Sequence, residues 1–138
     1  MAATLLSALL SGGCAFNHAW NAAATTPVAA NGIQGRWQGT WASEASAHTG
    51  RLRCIVTKQD DGKYRAWYHA NYRKVLSFSY SVTLEATHTN GIYKFSGDAD
   101  LGWAGGVYHY EGQANATNFY STYQSTYDHG VFQMRRPE

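Results

Sequence analysis

From Gly35 onward, apolar and polar residues alternate with a period of two, the signature of strands whose successive side chains point to opposite faces. In Gly35-Arg36-Trp37-Gln38-Gly39-Thr40-Trp41 both tryptophans share a face with Gly39. Leu52, Cys54 and Val56 then alternate with polar neighbours, as do Tyr64, Ala66, Tyr68, Ala70 and Tyr72. The cleanest alternation sets Leu76, Phe78, Tyr80, Val82 and Leu84 against Ser77, Ser79, Ser81 and Thr83. Shorter runs carry Tyr93 and Phe95, Tyr108 and Tyr110, Phe119 and Tyr123, and finally Phe132 and Met134. Between them, Asp61-Gly62 and Asn90-Gly91 are hairpin dipeptides, and Gly105-Gly106, Gly112 and Gly130 mark further reversals.

Eight such segments, evenly spaced and without helical periodicity, predict an all-β fold. Closing an antiparallel meander removes its exposed edges, so the expected architecture is an up-and-down eight-stranded barrel over residues 35–138. An open or flattened sandwich fits the same pattern. The length of 138 residues suits a single domain, and a charged fraction of 14%, against about 25% in typical proteins, goes with a β protein rich in Tyr, Ser, Thr and Gly.

The residues ahead of Gly35 follow another pattern. Residues 1–14, MAATLLSALLSGGC, join a short apolar run to small residues and a cysteine. This layout resembles a bacterial lipoprotein signal, in which Cys14 would carry the lipid. An ordinary secretory signal and an unexported chain are the alternatives. The run falls short of the roughly 18 residues that span a bilayer. Residues 15–34 hold no Asp, Glu, Lys or Arg and little apolar surface, so they read as a flexible linker, with Phe16 and Trp20 incidental or resting on a membrane interface. The N-terminal segment is thus expected to be disordered or processed. The expected location is the cell envelope, lipid-anchored to a bacterial membrane, or else secreted or periplasmic and soluble.

With the strands laid out, Gly35-x-Trp37 at the start and Arg135-Arg136 at the end of the barrel region resemble the signature of the calycins, the superfamily of lipocalins, fatty-acid-binding proteins and avidins. The resemblance implies that Trp37 plugs one end of the barrel against a basic partner, Arg135 or Arg136. Trp37, Trp41 and Arg135 are accordingly the expected structural anchors. A guanidinium over an indole is favourable by about 0.5 to 2 kcal/mol.

The net charge of +2 is spread along the chain without a basic stripe, which argues against nucleic-acid binding. The unusual chemistry lies on the interior phase, where Tyr64, Tyr68, Tyr72, Tyr80, Tyr93, Tyr108, Tyr110 and Tyr123 recur beside small residues. Buried phenols need hydrogen-bond partners. Mutual pairing in a filled barrel supplies them, and so does a pocket holding a polar or aromatic ligand. The candidate ligand-binding residues are Tyr64, Tyr68, Tyr80, Tyr93, Tyr108 and Tyr110, with Trp103 expected at the mouth on a loop from Ser96 to Gly106.

Asp98 and Asp100 in that stretch lack the rest of a calcium-loop pattern, and the six histidines show no ligand spacing, so no metal site and no cofactor is expected. His69 and His109 fall on the polar phase and should face solvent. No nucleophile elbow is present, no acid is expected on the interior phase, and no residue is assigned a catalytic role. Cys54 reads as a small buried hydrophobe, or as the partner of Cys14 in a disulfide if Cys14 bears no lipid. The expected function is non-enzymatic binding in the cell envelope, carrying a small amphipathic or aromatic ligand in a Tyr-lined barrel. The alternative is a filled barrel acting as a structural, interaction or inhibitor module, with outward-facing Trp67 touching a partner protein.

Overall fold

The structure, a computed structural model, describes residues 3–73, 76–102 and 105–138, and of residues 3–12 the backbone alone. One helix, α1 (Ala3–Ala23), precedes eight strands: β1 (Gly35–Ser43), β2 (Thr49–Lys58), β3 (Tyr64–Tyr72), β4 (Leu76–Thr89), β5 (Ile92–Asp100), β6 (Val107–Ala114), β7 (Asn118–Gln124) and β8 (His129–Arg135). Each strand pairs antiparallel with the next, and β1 also pairs with β8, so the sheet closes into an up-and-down barrel rather than a flattened sandwich.

Closure depends on β1 being hydrogen-bonded along both edges. Gly39 sits opposite Leu52 on β2 and Met134 on β8. A Cβ at this position would collide with the backbone carbonyl of Gln133, so the close approach of β8 requires glycine. The turn glycines Gly62 and Gly91 have positive φ, as their hairpin dipeptides demand.

The lumen has two unlike halves. Toward the start of β1 it is packed solid: Trp37, Val56, Leu84, Phe95, Phe119 and Met134 are buried, with Phe119 5.5 Å from Trp37 and 4.9 Å from Phe95 between ring centroids. Trp41 lies four residues along β1, about 13 Å toward the other end at roughly 3.3 Å per residue. There the wall is also less complete. Leu76 to Leu84 of β4 pair with β3, while only Glu85 to Thr89 pair with β5, so near the mouth β4 and β5 have parted.

The linker expected over residues 15–34 is not uniform. Residues up to Ala23 belong to α1, which lies on the outside of the barrel. Phe16 is completely buried there against Trp67 and His69, at ring-centroid distances of 5.1 and 5.0 Å. Trp20 is buried beside Ile55 and Phe16, and the Arg53 guanidinium stands 5.0 Å from the Phe16 ring and 5.3 Å from that of Trp20. Arg53 also donates to Asn17 Oδ1 at 2.8 Å. These contacts correct three expectations. Phe16 and Trp20 are anchors rather than incidental residues, Trp67 meets the chain's own helix, and His69, though on the outward phase, is buried beneath it. An outward strand face bearing Ile55, Trp67 and an imidazole is apolar enough to hold a helix, and burying two aromatics offsets the ordering of a short segment.

Cys14 is exposed on α1 and Cys54 is buried inside the barrel; both are free thiols, so the alternative disulfide is not formed. Among the described residues no helix is long and apolar enough to cross a membrane.

Candidate functional site

At the closed end, Trp37 donates from Nε1 to the Ile33 carbonyl at 2.8 Å and is wholly buried. Its basic partner is Arg136, whose guanidinium carbon lies 3.9 Å from the ring centroid. Arg136 also donates to the carbonyls of Gly32 (2.9 Å), Arg36 (3.0 Å) and Ala116 (3.3 Å), lacing the chain entering β1 to the turn before β7. Burial pulls the Arg136 pKa below its usual value, though not enough to threaten the charge of a guanidinium. Arg135, the expected anchor, is exposed. The inward phase of β8 runs through Phe132 and Met134, and its next member is residue 136.

The opposite end holds an open cavity of about 360 Å³. Its walls are the rings of Trp41, Tyr72, Phe78, Tyr80, Tyr108 and Tyr110, closed on the β7–β8 side by Tyr123 and Phe132. Ala70 and Leu101 complete the apolar lining, and Ser46, His48 and Asp128 supply polar groups at the rim. Tyr68 forms the layer beneath. It is fully buried, stacked 5.4 Å from Tyr80 and 6.1 Å from Tyr110, and 5.2 Å from Phe132.

The expected ligand-binding residues therefore divide. Tyr80, Tyr108 and Tyr110 line the cavity, and Tyr68 supports them. Tyr64 and Tyr93 do not join them: they pack edge to face, 6.2 Å apart, at the closed end. Trp103 lies outside the described residues. Trp41, expected as an anchor, does hold its place through Nε1, which donates to the Asn71 carbonyl at 2.9 Å. Its ring then stands stacked 6.1 Å from Tyr72 as part of the cavity wall.

Two of the phenols are tied to polar groups at the rim: Tyr72 and His48 Nδ1 hydrogen-bond at 2.9 Å, and the Tyr123 hydroxyl donates to Asp128 Oδ2 at 3.2 Å. Burial is the main force raising the pKa values of Tyr68, Tyr80, Tyr110 and Tyr123, so all four stay neutral donors at physiological pH. The Tyr68 hydroxyl has no partner among the described residues.

Asp128 is the residue that strand periodicity did not single out. It is a turn residue, and the turn folds it back over the mouth: Ser125 Oγ accepts from the amides of Tyr127 (3.1 Å) and Asp128 (3.0 Å), and the Ser125 amide donates to the Asp128 carbonyl at 2.7 Å. The carboxylate is then held by Ser43 Oγ at 2.6 Å, the His129 amide at 2.9 Å and the Tyr123 hydroxyl at 3.2 Å. Against the expectation of an acid-free interior, one carboxylate faces the cavity. The signal available in the sequence was the Ser125-x-x-Asp128 spacing, a turn in which side-chain oxygens cap backbone amides.

The first part of the Ser96–Gly106 stretch is strand, not loop, since β5 runs to Asp100. Asp98 and Asp100 both point outward. Asp98 Oδ1 meets His109 Nδ1 at 2.7 Å, and Asp100 Oδ1 accepts from the Gly102 amide at 2.8 Å. No group of three or more metal-ligating side chains converges among the described residues.

Comparison with protein-family models, with curated proteins and with solved structures found no match to this chain.

Proposed function

We propose that the protein is a non-enzymatic binding protein of calycin type, which holds a small amphipathic or aromatic ligand in the open half of its barrel. The observation that carries this reading is the division of the lumen. A plugged, solid half supports a half-open cavity of about 360 Å³, within the range of roughly 300 to 1,000 Å³ usual for small-molecule sites. Its lining is mostly aromatic, and apart from the tyrosine hydroxyls its polar groups are Ser46, His48 and Asp128 at the rim, as befits an apolar body with one polar end. The parting of β4 and β5 leaves Phe78 and Leu76 exposed beside the mouth, a lateral way in for an apolar molecule. Trp37 with a stacked arginine at the closed end supports the calycin assignment.

The same reading sets the protein in the cell envelope, tethered by lipid on Cys14. It is supported by the layout of residues 1–14 and by the exposure of Cys14 on α1, two residues before the buried Phe16. A lipid there would hold the barrel close to the membrane through a docked helix. Mass spectrometry of the mature N-terminus should find acyl chains on Cys14, and an unacylated chain retaining Ser11 would refute the anchor.

The binding claim is tested by titrating the protein with 1-aminoanthracene, a neutral fluorophore. Saturable one-to-one enhancement, lost when Leu101→Trp fills the cavity, is the expected result. Absence of saturation would leave the alternative reading, an interaction module whose contact surface is the exposed rim of Leu76, Val107 and Tyr127.

A further inference from the structure

Among the described residues that line the cavity, the rim carries a charge without a counter-charge. Asp128 is the one carboxylate among the described residues that line the cavity. An ionised carboxylate offers roughly four lone-pair sites. Oδ1 accepts from Ser43 and the His129 amide, while Oδ2 accepts only from Tyr123, so Oδ2 retains capacity for one more donor. The ion pairs among the described residues join Lys63 to Glu85, His109 to Asp98 and Glu111, and His129 to Glu44, and none includes Asp128.

Building on the binding reading above, we propose that the ligand is an organic cation, an amine with an apolar or aromatic body, whose ammonium group sits between Asp128 and the tyrosine rings. A tyrosine ring presents a negative face that attracts ammonium groups, most strongly where water is scarce. Tyr123 brings both elements together, since its hydroxyl holds the carboxylate and its ring forms the wall 6.1 Å from Tyr108. An anionic ligand would meet Asp128 with only His48, among the described lining residues, to oppose it, and His48 Nδ1 is engaged by Tyr72. A neutral ligand would cover the carboxylate without compensating its charge, which is costly. Arg73 stands 5.3 Å from the Tyr72 ring at the rim, but it is exposed and outside the cavity lining, where water screens it from a ligand within.

The test is isothermal titration calorimetry on the full chain with three ligands of one shape: 2-phenylethylammonium, 2-phenylethanol and phenylacetate. The ammonium should bind about tenfold more tightly than the alcohol or better, with the carboxylate weakest. Asp128→Asn should remove most of that preference and leave the alcohol's affinity within about threefold. Equal affinities for ammonium and alcohol in the unmodified protein would overturn the proposal, and this comparison needs no variant to fold. So would an Asp128→Asn protein that folds and keeps the preference. If none of the three binds while 1-aminoanthracene still saturates, the cation proposal fails and the pocket stands. If 1-aminoanthracene fails as well, both fail together.

Discussion

Arg136 covers Trp37 at 3.9 Å, and the same guanidinium reaches the carbonyls of Gly32 and Arg36, so one side chain both seals the barrel and ties its last strand to its first. Truncating it leaves partly buried carbonyls without these donors. Arg136→Ala should therefore cost about 1 to 3 kcal/mol in urea denaturation. Trp37→Ala, which empties a core site, should cost about 3 to 5. Arg135→Ala should change stability by no more than about 0.5, since its side chain is exposed. An equal loss at positions 135 and 136 would contradict the assignment of the plug.

Phe16 supplies the center of the α1 contact with the barrel. Phe16→Ala should release the helix while leaving the sheet intact, because closure of the barrel runs through β1 and β8 and not through α1. Hydrogen exchange should show protection lost over residues 13–23 and retained in the strands, with Trp20 becoming accessible to fluorescence quenchers. Simultaneous loss of protection in the strands would show that the helix is integral to the barrel.

His69 and His109 should titrate on opposite sides of the ordinary histidine value near 6.5. Burial, and secondarily Arg53, pulls the His69 pKa down, whereas the hydrogen bond that the His109 imidazole donates to Asp98 raises that of His109. For His69 the folded state holds its proton less tightly than the unfolded chain. Its contribution to stability is therefore complete above about pH 6.5 and is lost as pH falls from there through the folded value. For His109 the contribution is complete below about pH 6.5 and is lost as pH rises through its elevated folded value, a small effect for so exposed a pair. Imidazole NMR titration separates the two. Phe16→Ala should return His69 toward 6.5, and Asp98→Asn should do the same for His109.

Tyr68 carries a fully buried hydroxyl with no partner among the described residues. Removing an unsatisfied polar group from a core relieves a desolvation cost of about 1 to 3 kcal/mol. Tyr68→Phe should thus keep or raise the urea midpoint of the ligand-free protein. A clear loss of stability would mean that the hydroxyl is hydrogen-bonded in solution, through water in the floor of the cavity.

Much of the strand architecture was legible because alternation is a property of each strand's own backbone. The Tyr64–Tyr72 and Leu76–Leu84 runs announce their inward faces without reference to any other segment. Even the identity of the plug arginine was available, since Phe132, Met134 and Arg136 follow one phase. The docked helix was less legible. Phe16 and Trp20 lie among alanines and asparagines that signal a tether, and their value depends on Ile55 and Trp67 thirty or more residues away. His69 shows the same dependence: its phase is correctly outward, yet burial is set by what lies on that face.

Local periodicity, then, specifies strands, turns and the set of inward side chains, because backbone geometry and turn stereochemistry act over a few residues. It does not say where along the lumen each inward residue comes to rest. Strand stagger and tilt around the closed sheet, together with the early parting of β4 from β5, send Tyr64 and Tyr93 to the closed end and gather Tyr72, Tyr80, Tyr108, Tyr110 and Tyr123 around a cavity. The turn after β7 then returns Asp128 over that cavity. These placements rest on contacts between residues distant in the chain, and the chemistry of the site depends on them.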